Sequence, residues 1–279
     1  MASRRNTPDR RDRSDRSDRR ARPDRPRLTA RSVIASTLLG VDPPELPTRS
    51  LVASAELLGV TAGTARVGMS RMVAAGELEA TGDGYRLAGH LLARQARQAQ
   101  SRTGTPDGWD GAWRTALVPG EARAATDRAD LRRAMSALRY GELRDGVWLR
   151  PDNLPAGALA SAQAVAAAQT IALVGPLDPG TDPVVLARSL WDLDGWAETA
   201  AALVDELAPL QERLDHDDAT ALAEGFVVSA AVLRHLQADP LLPAALLPDH
   251  WPGTRLRSRE DRFDHTFKAV LRTWLLARA

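Results

Sequence analysis

The chain has 279 residues, 44% of them apolar, and a formal net charge of +1, enough material for two or three domains with real cores. It has no cysteine, which excludes disulfides, thiolate metal sites and cysteine nucleophiles. Its five histidines (His90, His216, His235, His250, His265) are scattered with no i, i+4 pair to hold a metal, and no apolar run approaches the roughly 18 residues that span a bilayer, so the expected location is the cytoplasm and no metal site is assigned.

Charge is unevenly placed. Residues 1–27 carry eleven arginines against five aspartates. With no apolar residue able to order it, this stretch is expected to be a disordered tail: a solubilising arm, or an arginine arm that tracks phosphates. Residues 28–90 read as a winged helix-turn-helix. Leu28-Thr29 resembles a hydrophobic staple and N-cap, and the helix behind it places Val33, Ile34, Leu38 and Leu39 on one side before Gly40. Residues 42–47 read as a proline-rich loop. A second helix from Thr48 lines up Leu51, Val52, Ala55 and Leu58. Gly59 then supplies a left-handed end, Val60 an apolar contact, and Thr61 the cap of a third helix. After Gly76, residues 78–80 and 85–87 flank Thr81-Gly82-Asp83-Gly84, a hairpin signal that marks the wing.

The third helix organises the rest. At about 100° per residue, Ala62, Ala65, Met69, Met72 and Val73 fall on one core-facing arc. Gly63, Thr64, Val67, Ser70 and Arg71 lie opposite, with Arg66 on the flank, and this outward face carries no carboxylate, as a phosphate-lined groove requires. Thr61 and the first-turn amides are expected to hold a phosphate, since a helix start presents unpaired N–H groups. Thr64, Val67 and Arg71 are placed to meet base edges, Arg71 on guanine and Val67 on a thymine methyl. Arg66 and Ser70 are assigned to phosphates, and Arg86 on the wing to the backbone beside the groove.

Residues 91–108 read as a connector: a polar helix, then a stretch rich in Thr, Gly and Pro. The central part, residues 109–178, gives a strand at 113–118, a helix near 128–138, an alternating or turning segment at 143–149, an alanine-rich helix at 155–168 and a strand at 171–174. That order is consistent with a ferredoxin-like α+β module. Residues 179–279 read as an all-helical C-terminal domain for effector binding or dimerisation. Its helices are expected at 184–191, 195–214, 220–236 and 262–277, with a proline-marked loop at 239–253. The fold class is therefore α+β and mostly helical.

Several stretches, in order, resemble the PaaX family of bacterial transcriptional regulators. They are Ala65-Arg66-Val67-Gly68-Met69-Ser70-Arg71-Met72, then Trp109-Asp110-Gly111-Ala112-Trp113, then Leu138-Arg139-Tyr140-Gly141 with Gly146-Val147-Trp148, and finally Asp239-Pro240 with Leu246-Leu247-Pro248-Asp249-His250-Trp251-Pro252-Gly253. The resemblance covers everything after Arg27. It implies a homodimeric repressor with double-stranded operator DNA as partner, released by a small effector such as an aryl- or acyl-CoA thioester, with no cofactor and no enzymatic activity. Gly63 and Gly68 stand where the family pattern carries side chains, so the operator sequence does not follow from the family. If Gly68 gives DNA a close approach to the backbone, Gly68→Ala weakens binding.

The effector site is not legible in the sequence. Tryptophans 109, 113, 148, 191, 196, 251 and 274 could line an aromatic pocket or anchor cores, and Arg139, Arg150 and Arg188 are only nearby in sequence. Two rival readings stand beside the regulator. One is a ligand-independent DNA-binding scaffold. The other is a metal-dependent nuclease using the ferredoxin-like module, which the carboxylate-free segment 113–119 disfavours. The acidic clusters Asp192/Asp194 and His216/Asp217/Asp218 sit at helix starts, where carboxylates serve as caps rather than as metal ligands.

Overall fold

The computed structural model describes residues 28–104, 108–120, 124–155 and 159–277. The arginine-rich tail lies outside the described residues.

Helix α1 (Ala30–Leu39) opens with a capping box: Thr29 accepts from the Ser32 amide, and Ser32 accepts from the Thr29 amide. Helix α2 (Thr48–Leu57) ends in a turn that Gly59 closes at φ +79°, with the Val60 amide bonding back to the Ala55 carbonyl at 2.9 Å. Helix α3 (Ala62–Ala74) follows at once. The three helices share one core in which Val33, Ile34, Leu38, Leu51, Ala55, Met69 and Met72 are buried. The supposed loop before α2 contains a strand, β1 (Glu45–Pro47), antiparallel to β3 (Gly84–Leu87), which also pairs with β2 (Leu78–Ala80). Prolines 43, 44 and 47 hide it in the sequence. An edge strand tolerates them because one row of its amides needs no partner.

Helix α4 (His90–Thr103) leads to the second sheet. That sheet contains β4 (Trp113–Leu117), β5 (Gly141–Arg144), β6 (Val147–Pro151) and β7 (Ile171–Gly175), with α5 (Ala125–Ala137) and α6 (Ala160–Gln169) between strands. Its order is β5-β6-β4-β7 with every pair antiparallel, the order a ferredoxin-like βαββαβ chain produces. The segment left open at 143–149 is a hairpin turning at Asp145-Gly146. Ala116 and Trp148 face α5, where Leu131 and Met135 complete a small core. Trp113 and Leu149 face the other way, onto Ala187, Leu193, Leu242 and Leu246.

The remainder is helical: α7 (Pro183–Leu190), α8 (Leu193–Asp215), α9 (Leu222–Gln237) and α10 (Gly253–Leu276). Asp182, Asp192 and Asp218 cap the starts of α7, α8 and the 3₁₀ turn before α9. By length and composition the stretch Ala219–Gln237 could cross a membrane, but Leu222, Val228, Val232 and Leu236 are buried against α8 and α10. Helix α10 begins nine residues before the expected start at Arg262. Leu256 and Phe263, spaced i, i+7 among charges, are fully buried and hold its first turns in the core.

Helix α4 packs on α9, and it is no bare spacer. Ser101 is completely buried. Its hydroxyl accepts from Arg139 Nη2 at 2.8 Å and its carbonyl from Arg257 Nε at 2.8 Å. Arg257 continues to Asp239 at 2.6 Å, and Arg139 donates to the Gln237 carbonyl. One residue of α4 thus joins the central sheet to the C-terminal helices.

Candidate nucleic-acid interface

The two faces of α3 are separated sharply. Ala65, Met69 and Met72 are buried, with Met69 fully so, whereas Thr61, Gly63, Thr64, Arg66, Val67, Ser70 and Arg71 are exposed. Val67, a β-branched apolar side chain, is 51% exposed at the centre of this surface. Val73 was expected in the core but is exposed, because it falls at the edge of the buried arc, beyond the reach of α1 and α2.

Local hydrogen bonds set the first turn. Thr61 caps α3 by accepting from the Thr64 amide at 3.3 Å, and the two threonine hydroxyls are 2.9 Å apart. As at any helix start, the first-turn amides lack intrahelical acceptors and point ahead of the helix. Ser70 donates to the Arg66 carbonyl at 3.2 Å, so its hydroxyl oxygen stays available as an acceptor. Arg66 and Arg71 pair with no carboxylate among the described residues.

Gly68 does not face outward. A methyl group there would meet the Ala30 Cβ at 2.9 Å and Ile34 Cδ1 at 3.5 Å. The missing side chain therefore lets α1 and α3 touch, which corrects the expectation of a close approach to DNA. Gly63 has no atom within 4 Å of the equivalent position, so its backbone is open to a partner.

Between the start of α1 and the outer face of α3 lies an open groove of about 910 Å³, lined by Arg31, Thr61, Thr64, Arg71 and Glu77 among others. Arg31 and Glu77 were not singled out in the sequence. Arg31 forks onto the Glu77 carboxylate, Nε to Oε2 at 2.8 Å and Nη2 to Oε1 at 2.5 Å, and His90 Nε2 stands 3.6 Å from the same carboxylate. The Arg31 hydrogen bonds hold Glu77 below the usual carboxylate range. The pair straps α1 to the link between α3 and the wing. Forty-six residues of separation left it without a sequence signal.

Arg86 is occupied. Its Nε lies 2.8 Å from Glu79 Oε2 across the hairpin, and both side chains are more than half exposed. Such a pair is weak, and a phosphate could displace the carboxylate.

Most of the tryptophans and arginines weighed as effector ligands have partners within the fold, while Arg188 is exposed on α7. Trp113, Trp148 and Trp196 are buried, Trp109 packs edge-on to Trp113, and Trp251, Trp196 and His235 form one stack with centroids 4.5 Å apart. Arg139 is committed to the α4 junction, and Arg150 lies over the Tyr140 ring.

Comparison with known proteins agrees along most of the chain. Residues 29–91 match the model of the PaaX-like protein family, residues 106–176 that of the PaaX protein central Cas2-like domain, and residues 191–274 that of the PaaX-like protein C-terminal domain. No curated protein matches the chain. Among solved structures, the uncharacterized protein Rv0674 from Mycobacterium tuberculosis is 39% identical, with a TM-score of 0.67 over 88% of this chain and 98% of its own. With three family models matched in sequence order, and a relative of this identity spanning nearly the full length, the chain belongs to the PaaX family, a family of transcriptional regulators.

Proposed function

We propose that the chain is a sequence-specific, double-stranded-DNA-binding repressor, acting as a homodimer, that reads its operator with α3. The observation that carries this is the division of α3. Its methionines are sealed in the core, while a carboxylate-free face with two unpaired guanidinium groups is left to solvent. A negatively charged duplex is the partner that such a face suits.

On this reading Thr61 and the free amides of the first turn hold a phosphate. Arg71 and Val67 meet base edges, with Thr64 beside them. Arg66 steadies the flanking backbone, Ser70 adds a donor once its hydroxyl turns away from the Arg66 carbonyl, and Arg86 joins them once Glu79 releases it. Two protomers reading two half-sites about one helical turn apart is the usual arrangement for such readers. Family membership supports a small effector, an aryl- or acyl-CoA thioester, that releases the DNA. A thermal-shift screen tests it, since a ligand at 100 times its Kd stabilises by about 2.7 kcal/mol.

The test of DNA reading begins by sequencing the DNA that copurifies with the chain. Binding of Arg71→Ala is then measured on that duplex and on a scrambled one. The expected result is a loss of about 1–3 kcal/mol of discrimination. Equal losses on both duplexes would remove Arg71 from base reading, and no binding by the unaltered chain at low salt would end the proposal.

A further inference from the structure

Arginines line the seam between α4 and α9 in two different ways. Toward the end of α4, Arg102, Arg139 and Arg257 each have acceptors: Asp264, Ser101 and Asp239 respectively. Nearer its start, Arg94 and Arg97 stand one turn apart on α4, and Arg234 stands in the last turn of α9, against which α4 packs. Among the described residues no carboxylate pairs with any of these three. Arg94 is only partly accessible to solvent. Burial lowers its affinity for its own proton, and the positive charges of Arg234, Arg97 and Arg31 lower it further. The dipole of α9 accounts for a cation at that helix's end. It does not account for two unpaired arginines in the interior of α4.

Arg31, whose charge reaches Arg94, also lines the groove beside α3 that contains Arg71. Arg31 is itself held by Glu77. Among the described residues, the arginines of α1, α3, α4 and α9 that no carboxylate pairs therefore fall in two groups. Arg66 and Arg71 stand on the outer face of α3, and Arg94, Arg97 and Arg234 where α4 meets α9, with the Arg31–Glu77 pair between them. A cluster of like charges without counter-charges costs the isolated protein free energy, and a polyanion laid along it removes that cost. We propose that Arg94, Arg97 and Arg234 form a second backbone-contacting surface, which takes DNA phosphates beyond the half-site read by α3. This rests on the reading of α3 as the DNA-binding helix. Because the surface belongs partly to α9, a bound duplex would fix the C-terminal helices relative to the winged helix.

The test uses the full chain and the duplex recovered by copurification, with affinity followed from about 50 mM to 200 mM salt. Arg94→Ala/Arg97→Ala/Arg234→Ala should flatten the log–log salt slope by about 2–3, close to one for each lost phosphate contact, and should weaken specific and scrambled duplexes alike. The triple lysine variant should keep the slope. Arg234→Ala alone, at an exposed position, should lower it by about one and covers the case in which the triple alanine variant does not fold. An unchanged slope in either alanine variant, while Arg71→Ala still loses discrimination, overturns this surface and leaves α3 as the reader. Failure of the unaltered chain to bind any duplex overturns both.

Discussion

The arginines of α3 and those of the α4 junction carry the same group in opposite circumstances. Arg66 and Arg71 reach into solvent with no carboxylate partner among the described residues, whereas Arg139 is buried, Arg257 is partly buried, and both are bonded to Ser101, Gln237 or Asp239. Burial pushes the Arg139 guanidinium down to about 10, a cost that its acceptors Ser101 and Gln237 offset only in part. Removing an arginine from α3 should therefore cost binding and leave the fold intact. Removing a partner at the junction should cost the fold. The two regions differ in what surrounds the charge: one is left free for the proposed recognition of DNA, and the other holds three parts of the chain together.

The contrast breaks most visibly at Asp239, which is 2% exposed beside an Arg257 side chain that is 12% exposed. Asp239→Ala leaves that partly buried guanidinium without its counter-charge, held only by the Ser101 carbonyl, and a loss of about 3–5 kcal/mol is expected in chemical denaturation. A loss below 1 kcal/mol would show that the junction does not hold the fold.

Next in size is Glu260, fully buried on α10. Its carboxylate accepts from Ser229 at 2.8 Å and lies 3.7 Å from Arg102, yet burial pushes its pKa up to about 8. The folded chain thus keeps a proton that the unfolded chain gives up near 4.5. This group's contribution to stability is complete at low pH and falls as pH rises from about 4.5 to about 8. Glu260→Gln should match the unaltered chain near pH 5 and melt several degrees higher near pH 9. Equal midpoints at both pH values would show that the carboxyl is ionised throughout.

The two glycines of α3 sharpen the division of that helix. Gly68→Ala gains about 1 kcal/mol of helix propensity but forces a methyl against Ala30, at a cost of about 1–3 kcal/mol. The net effect should be destabilising. Gly63→Ala meets nothing and should stabilise by up to about 1 kcal/mol. Equal stabilisation by both, measured in urea, would mean that Gly68 does not set the α1–α3 contact. Smallest of all, Arg71→Ala should change stability by less than about 0.5 kcal/mol, as an exposed substitution does. A larger loss would give Arg71 a partner within the fold.

Much of the N-terminal three-helix unit was legible because its signals are local. Caps, the Gly59 turn and 3.6-residue periodicity act within a few residues, so Thr29, Thr61, Met69 and Met72 could be placed from sequence alone. The alternation of strands and helices likewise foretold the βαββαβ module. Long-range choices left no such trace. Strand β1 pairs across some 40 residues of chain, and the start of α10 depends on a core that covers Leu256 and Phe263. The expectation for Gly68 failed because a glycine's neighbour across a helix contact is invisible in sequence.

The sequence by itself determined which residues of α3 could point outward and that none of them is acidic, since helical spacing and residue type are properties of the chain. Only the tertiary structure decided which arginines are spent on the fold and which stay free. A guanidinium's role is set by the acceptors that folding brings within about 3 Å of it, and those acceptors come from distant parts of the chain.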